Sequence, residues 1–248
     1  MRNLKLTLEY DGTDFSGFQL QPKRPTIQEA LETALSKFFN RPTKIGSASG
    51  RTDAGVHAEC QVVHVKVNHS APAAQIQRGL NAYLPPSIAI KKIEDVNLKF
   101  HARFKARNKT YEYRVWNDPV RSPFQEREAF HVSQPLQLAA MRKAARIFVG
   151  RHDFRSFCAA GKTEDKKKDT RRTVKKFIIK REGSLLRFQV TADGFLYHMV
   201  RNMAGALLDV GRGRLTPSEV RKVLDLKDRR KASATAPAKA LRLFDVTY

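Results

Sequence analysis

Asn3-Leu4-Lys5-Leu6-Thr7-Leu8-Glu9-Tyr10 decides the reading of the fold. Leu4, Leu6, Leu8 and Tyr10 recur at every second position, the period of a strand with one buried face. Asp11-Gly12 then opens a loop. Thr26-x-x-Glu29 behind Pro25 has the form of a capping box. Ile27, Ala30, Leu31, Ala34, Leu35 and Phe38 follow at helical spacing. A short strand is expected within residues 44–49 and a clearer one at 61–67. Residues 74–83 read as a helix halted by Pro85-Pro86, and residues 88–96 as a strand. The order is β-α-β-β-α-β.

The rest of the chain runs similarly. A strand at residues 110–116 precedes a helix at 136–148, ended by Gly150. Strands at 174–180 and 185–191 flank Arg181-Glu182-Gly183-Ser184, a hairpin turn by composition. A helix over 195–210 closes at Gly211, a shorter one covers 217–226, and 241–248 alternates as a last strand. Residues 227–240 read as a linker. The expected class is α+β: two ferredoxin-like halves, residues 1–104 and 105–248, with largely antiparallel sheets meeting at a central cleft.

The 248 residues suffice for one large domain or two small ones, and 41% of them are hydrophobic, enough for a buried core. Mean hydropathy is −0.50, and the apolar stretches are far shorter than a membrane span needs. No basic–apolar–small leader opens the chain, so a cytoplasmic protein is expected. Cys60 and Cys158 have no paired spacing, which argues against a disulfide scaffold or a cysteine-rich zinc site. Lys and Arg number 47 against 24 Asp and Glu, a formal net charge of +23. Such a chain ordinarily meets a polyanion, and nucleic acid is the expected partner. The run 162–176 has eight bases and three acids, and reads as a solvated loop or a phosphate-touching one.

Gly50-Arg51-Thr52-Asp53-Ala54-Gly55-Val56-His57-Ala58 is the stretch with the most unusual chemistry. It lies between two strands, and its glycines permit backbone angles and close approaches that other residues avoid. A loop Asp is by itself more often a turn former than a catalyst. The seven histidines form no His-Glu-x-x-His pattern, and no phosphate loop or dinucleotide fingerprint occurs. Tyr111 and Tyr113 share one strand face among Arg103, Arg107, Lys109 and Arg114. An aromatic among bases suits stacking on an unpaired base, but the residues alone favour the plainer reading, one Tyr packed in the core and the other in solvent. Arg201 stands beside the apolar stripe Met199, Met203, Ala206 and Val210, where a buried Arg needs a partner, Asp53 among the possible acids.

Taken together these residues resemble the TruA family of tRNA pseudouridine synthases. The resemblance is carried by Tyr10-Asp11-Gly12-Thr13-Asp14-Phe15-x-Gly17-Phe18-Gln19, the 50–58 loop, His101-Ala102-Arg103-Phe104 and Lys109-Thr110-Tyr111-x-Tyr113. It continues through Phe195-Leu196-Tyr197-His198-x-Val200-Arg201-Asn202-Met203 and Ala236-Pro237-Ala238, collinear over nearly the whole chain. Phe18 stands where the family usually has Trp, and Ala240 where it usually has Gly.

The resemblance implies an isomerase converting uridine to pseudouridine at positions 38, 39 and 40 of the tRNA anticodon stem-loop. It implies Asp53 as nucleophile and Arg201 as the Arg that pairs with it. Tyr111 would pack on the target uridine, with Arg51 as a second substrate-binding residue. It implies no metal, no cofactor and a homodimer in which one tRNA touches both subunits. The chemistry suits the residues, because an Asp carboxylate, of ordinary pKa about 3.9, is ionised at neutral pH. A nearby Arg holds it so when a bound base excludes water. It can attack ribose C1′ or uracil C6, or act as a base through a glycal. The target base must leave its stack at a cost of a few kcal/mol. The alternative is a non-catalytic RNA-binding protein on the same scaffold.

Overall fold

The computed structural model describes residues 1–159 and 169–248. The basic run expected at 162–176 lies outside these residues up to 168, and the rest enters a strand. In chain order the elements are β1 (Arg2–Tyr10), α1 (Ile27–Phe39), β2 (Ser47–Ala48), β3 (His57–Val67), α2 (Ala73–Tyr83), β4 (Ile88–Val96) and β5 (Asn108–Trp116). They continue with β6 (Phe130–His131), α3 (Leu138–Ile147), β7 (Gly150–Asp153), β8 (Arg171–Glu182), β9 (Leu185–Ala192), α4 (Met199–Gly211), α5 (Pro217–Leu226) and β10 (Leu241–Thr247). Two compact units result: Met1–Arg107 with Arg242–Tyr248, and Asn108–Leu241.

The first unit grows from β1. Its strand order is β4-β1-β3-β10, with β2 paired to β3. Leu4 faces Val65 and Leu6 faces Val63 across the antiparallel β1–β3 ladder. Leu4, Leu6 and Leu8 are fully buried, each contributing about 1.5–3 kcal/mol by leaving water. The same core takes Ile27, Leu31 and Leu35 from α1, and Ile76 and Leu80 from α2. Thr26 caps α1 by accepting the Glu29 N–H at 3.3 Å.

The second unit has the order β5-β9-β8-β7, with β6 beside β5. β8 and β9 form a hairpin in which Glu182 faces Leu185 across Gly183-Ser184, with Gly183 at φ +60. That angle favours glycine in a two-residue turn. Helix α3 packs on α4, α5 and β8. Phe148, Phe154 and Phe157 are fully buried, and the Phe148 and Phe157 rings meet edge to face at 5.0 Å. Thr216 and Glu219 close a reciprocal capping box before α5.

Both units are α+β, as expected, and pairing within each is antiparallel except for β10 on β3 and β6 on β5. Four differences have physical causes. Chain position assigns the last strand to the second half, yet it pairs with β3 and belongs to the first unit. Alternation marks a strand but not its neighbour. Strands β6 and β7 are too short for a period to show. Helix α4 begins at Met199 rather than residue 195, because His198 sits at φ +57, outside the helical region. Finally, β3 starts at His57, since its first residues pair with β1 and β10 while carrying no alternation.

Candidate active site

Asp53 lies in the loop between β2 and β3, and backbone contacts fix its course. Val56 N–H donates to Asp53 O at 3.1 Å, closing a turn whose third residue, Gly55, has φ +73. The segment after β1 lies along this loop. Phe18 N–H donates to Thr52 O at 3.0 Å and Gly55 N–H to Phe15 O at 3.3 Å. The approach requires glycine twice. A Cβ on Gly12 would stand 2.1 Å from Val56 O. One on Gly17, at φ +99, would stand 2.8 Å from Thr52 O.

Beneath the loop is a buried polar network. The Tyr10 and Thr52 hydroxyls are 2.7 Å apart. Gln61, fully buried on β3, donates to Gly50 O at 2.8 Å and accepts from the Ser49 hydroxyl at 2.7 Å. Burial pushes the Tyr10 phenol up to about 12, its hydrogen bonds to Thr52 and Gln61 opposing. It is therefore neutral at working pH. His57 adds a clamp: its Nδ1 accepts the Gly12 N–H at 3.1 Å, with Asp11 Oδ1 3.0 Å from the same nitrogen. Thr52 is buried, Asp53 half-buried and Arg51 exposed.

Tyr111 and Arg201 belong to the second unit. Tyr111 sits on β5 opposite Val190, 8% exposed, with Phe195 edge-on at 5.0 Å. Tyr113 is also buried, so neither tyrosine simply faces solvent. The Tyr113 hydroxyl has no hydrogen-bond partner, and burial drives its phenol well above the usual range, partly opposed by the positive charge of Arg201. Arg201 lies in the first turn of α4. Its Nε donates to Ala236 O at 2.8 Å, and Ala236 N–H donates back to Arg201 O at 3.2 Å. Asn202, next in the helix, donates to Phe157 O at 2.8 Å and accepts from Thr235 at 2.6 Å. Residues 227–240, read as a linker, are therefore the strap that orients Arg201. The Ala236-Pro237-Ala238 motif pointed to this strap without revealing its role.

Between the tyrosines, Glu112 is a fully buried carboxylate that the sequence reading missed. It accepts from Arg114 at 2.7 Å, Gln189 at 2.8 Å and Arg187 at 3.4 Å. Burial opposes its ionisation, but these donors outweigh it and hold the carboxyl below its ordinary value. Among the described residues, no group of three His, Cys, Asp or Glu side chains could hold a metal ion, and no helix is long and apolar enough to cross a membrane.

The comparison with known proteins gives this arrangement a family. A family model described as tRNA pseudouridine synthase matches residues 7–105 and 144–248. A relative from Brevibacillus brevis, named tRNA pseudouridine synthase A, is 44% identical over 250 residues, covering all of both chains. One of the same name from Bacillus subtilis is 44% identical over 246 residues, 99% of this chain and 98% of its own. A third, from Acetivibrio thermocellus, is 38% identical over 248 residues and all of both chains. The chain belongs to the tRNA pseudouridine synthase family. It is thereby an isomerase with tRNA as substrate.

Proposed function

We propose that this enzyme isomerises uridine at positions 38, 39 and 40 of the tRNA anticodon stem-loop, with Asp53 as nucleophile. The observation that carries the reading is the clamped loop: Gly12, Gly17 and the Tyr10–Thr52–Gln61 network hold the backbone on both sides of Asp53. A catalytic carboxylate needs such fixed placement, because a misplacement of about 1 Å can cost about 100-fold in rate.

In the proposed reaction the Asp53 carboxylate adds to ribose C1′ or uracil C6. The N1–C1′ bond breaks and the uracil turns in place. A C5–C1′ bond then forms, the C5 proton leaves while N1 takes up one from solvent, and the carboxylate is released unchanged. No electron is gained or lost overall. Arg201 serves as the second catalytic group, a permanent cation favouring ionised carboxylate. Tyr111 stacks on the target uracil, offsetting the few kcal/mol of taking a base from its stack. Arg51, exposed beside Asp53, contacts the substrate backbone. The enzyme is proposed to work as a cytoplasmic homodimer without a cofactor, the +23 charge drawing in the polyanion.

The test is tritium release from tRNA transcripts carrying [5-³H]uridine, with positions 38 to 40 either uridine or cytidine. Release only when uridine occupies one of them is expected. Undiminished release from the all-cytidine transcript would overturn the site assignment.

A further inference from the structure

Phe104 is 74% exposed, unusual for a phenylalanine, and its surroundings hold it still. The turn that carries it is pinned from several sides. Lys105 N–H donates to His101 O at 3.0 Å. The Arg103 and Phe104 N–H groups donate to His101 Nδ1 at 3.2 and 3.3 Å. Ala102, fully buried, donates to His64 Nδ1 at 3.2 Å and accepts from the Tyr248 hydroxyl at 2.8 Å. Burial, chiefly, lowers the His64 pKa and favours the neutral ring that can accept this bond. The Phe104 ring stacks on the His101 ring at 4.3 Å and 28°, and His101 in turn lies 4.8 Å from His64. A column of three rings thus runs outward from the sheet and ends in an exposed phenyl.

The turn that carries it is basic. Residues 99–107 contain Lys99, Arg103, Lys105 and Arg107, and no acid. The Arg103 guanidinium lies 5.6 Å from the centre of the Phe104 ring. Burying the ring within the chain would remove apolar surface from water, yet the fold holds it out. A preordered aromatic face on a basic turn, with a guanidinium beside it, is the arrangement that binds unpaired nucleobases, the ring taking the base and the cations its phosphates.

From this juxtaposition we propose that Phe104 is a stacking platform for an unpaired nucleobase of the tRNA, separate from the base that reacts. The occupant is a base rather than a protein because the charge around the ring complements a polyanion. The proposal rests on tRNA as substrate and not on which uridine is modified.

The experiment compares Phe104→Ala, Phe104→Leu and Phe104→Tyr for steady-state KM and kcat on unmodified tRNA, with thermal melts alongside. Stacking makes KM rise about tenfold or more for Ala and Leu, stay near wild type for Tyr, and leaves melting unchanged. Phe104→Trp is then titrated with tRNA. Its added emission is expected to be quenched as RNA binds, against the background of the chain's single other tryptophan, Trp116. Leu matching wild type, or Trp emission unmoved at saturating tRNA, would overturn the proposal while leaving the isomerase intact. So would a concentration-dependent change of mass in Phe104→Ala with KM unaltered, which assigns the ring to a protein contact.

Discussion

The hydroxyls of Tyr10 and Thr52 lie 2.7 Å apart, joining the end of the first strand to the residue before Asp53. Tyr10 is also the last apolar position in the alternation of β1, so the residue that completes the core face also supports the loop. Gln61 contacts the same hydroxyl from β3 at 3.4 Å. The loop is held by core residues of two paired strands, and its geometry is as stable as that sheet.

Tyr10→Phe removes this link while keeping the ring. The expected outcome is a kcat lower by about tenfold, corresponding to about 1.4 kcal/mol, with KM for tRNA little changed. A single buried hydrogen bond is worth about 1 kcal/mol of stability, so melting should fall only slightly. The Tyr10 phenol is pushed up to about 12. The ratio of the two rates should therefore be flat between about pH 6 and pH 9. Single-turnover rates across that range check it.

Gly12→Ala should be far more damaging. Its Cβ would stand 2.1 Å from Val56 O, a backbone atom that cannot swing aside. The loop must shift, and a displacement of about 1 Å predicts a loss of about 100-fold in kcat. tRNA affinity, set mainly by the basic surface, should stay within a few fold. Filter binding beside tritium release separates the two.

Arg201→Lys keeps the charge but loses the Nε donor that meets Ala236 O at 2.8 Å. Lysine has no planar fork. We expect at least a tenfold fall in kcat, about 1.4 kcal/mol, with tRNA binding retained. Activity near wild type would show that charge alone suffices.

Glu112 gives a pH prediction. Its carboxyl is depressed in the folded state, so its contribution is present above the unfolded carboxyl value of about 4.3 and is lost as pH falls through the lower folded value. Melting temperature should therefore fall with acid below about pH 5 more steeply in wild type than in Glu112→Gln. At neutral pH that variant should be about 1–3 kcal/mol less stable, because Arg114 and Arg187 lose a buried charged acceptor. Melts over this range check both parts.

Much of this was legible in the sequence, and the residues show why the rest was not. The alternation of β1, the Thr26 cap and the apolar stripe of α1 are local signals, and each element formed where they stood. The 241–248 strand was recognised, but pairing is a long-range choice that alternation does not encode. His198 at φ +57 broke a helix whose apolar spacing ran on unbroken. Glu112 gives no signal in the sequence, because a carboxylate on a strand normally marks the solvent face. Here three donors from β5 and β9 offset its burial, and they meet only after the strands pair. At the candidate site the loop glycines were seen, but not what they touch. Residues 227–240 looked like a linker because their hold on Arg201 is made by backbone atoms.

The most direct test of Asp53 as nucleophile is tritium release from [5-³H]uridine tRNA by wild type and Asp53→Ala side by side. The C5 proton leaves only when the uracil has been rejoined through C5. Release by wild type and none by the variant is expected, with the variant folded and still binding tRNA. Release by Asp53→Ala at a rate near wild type would contradict it.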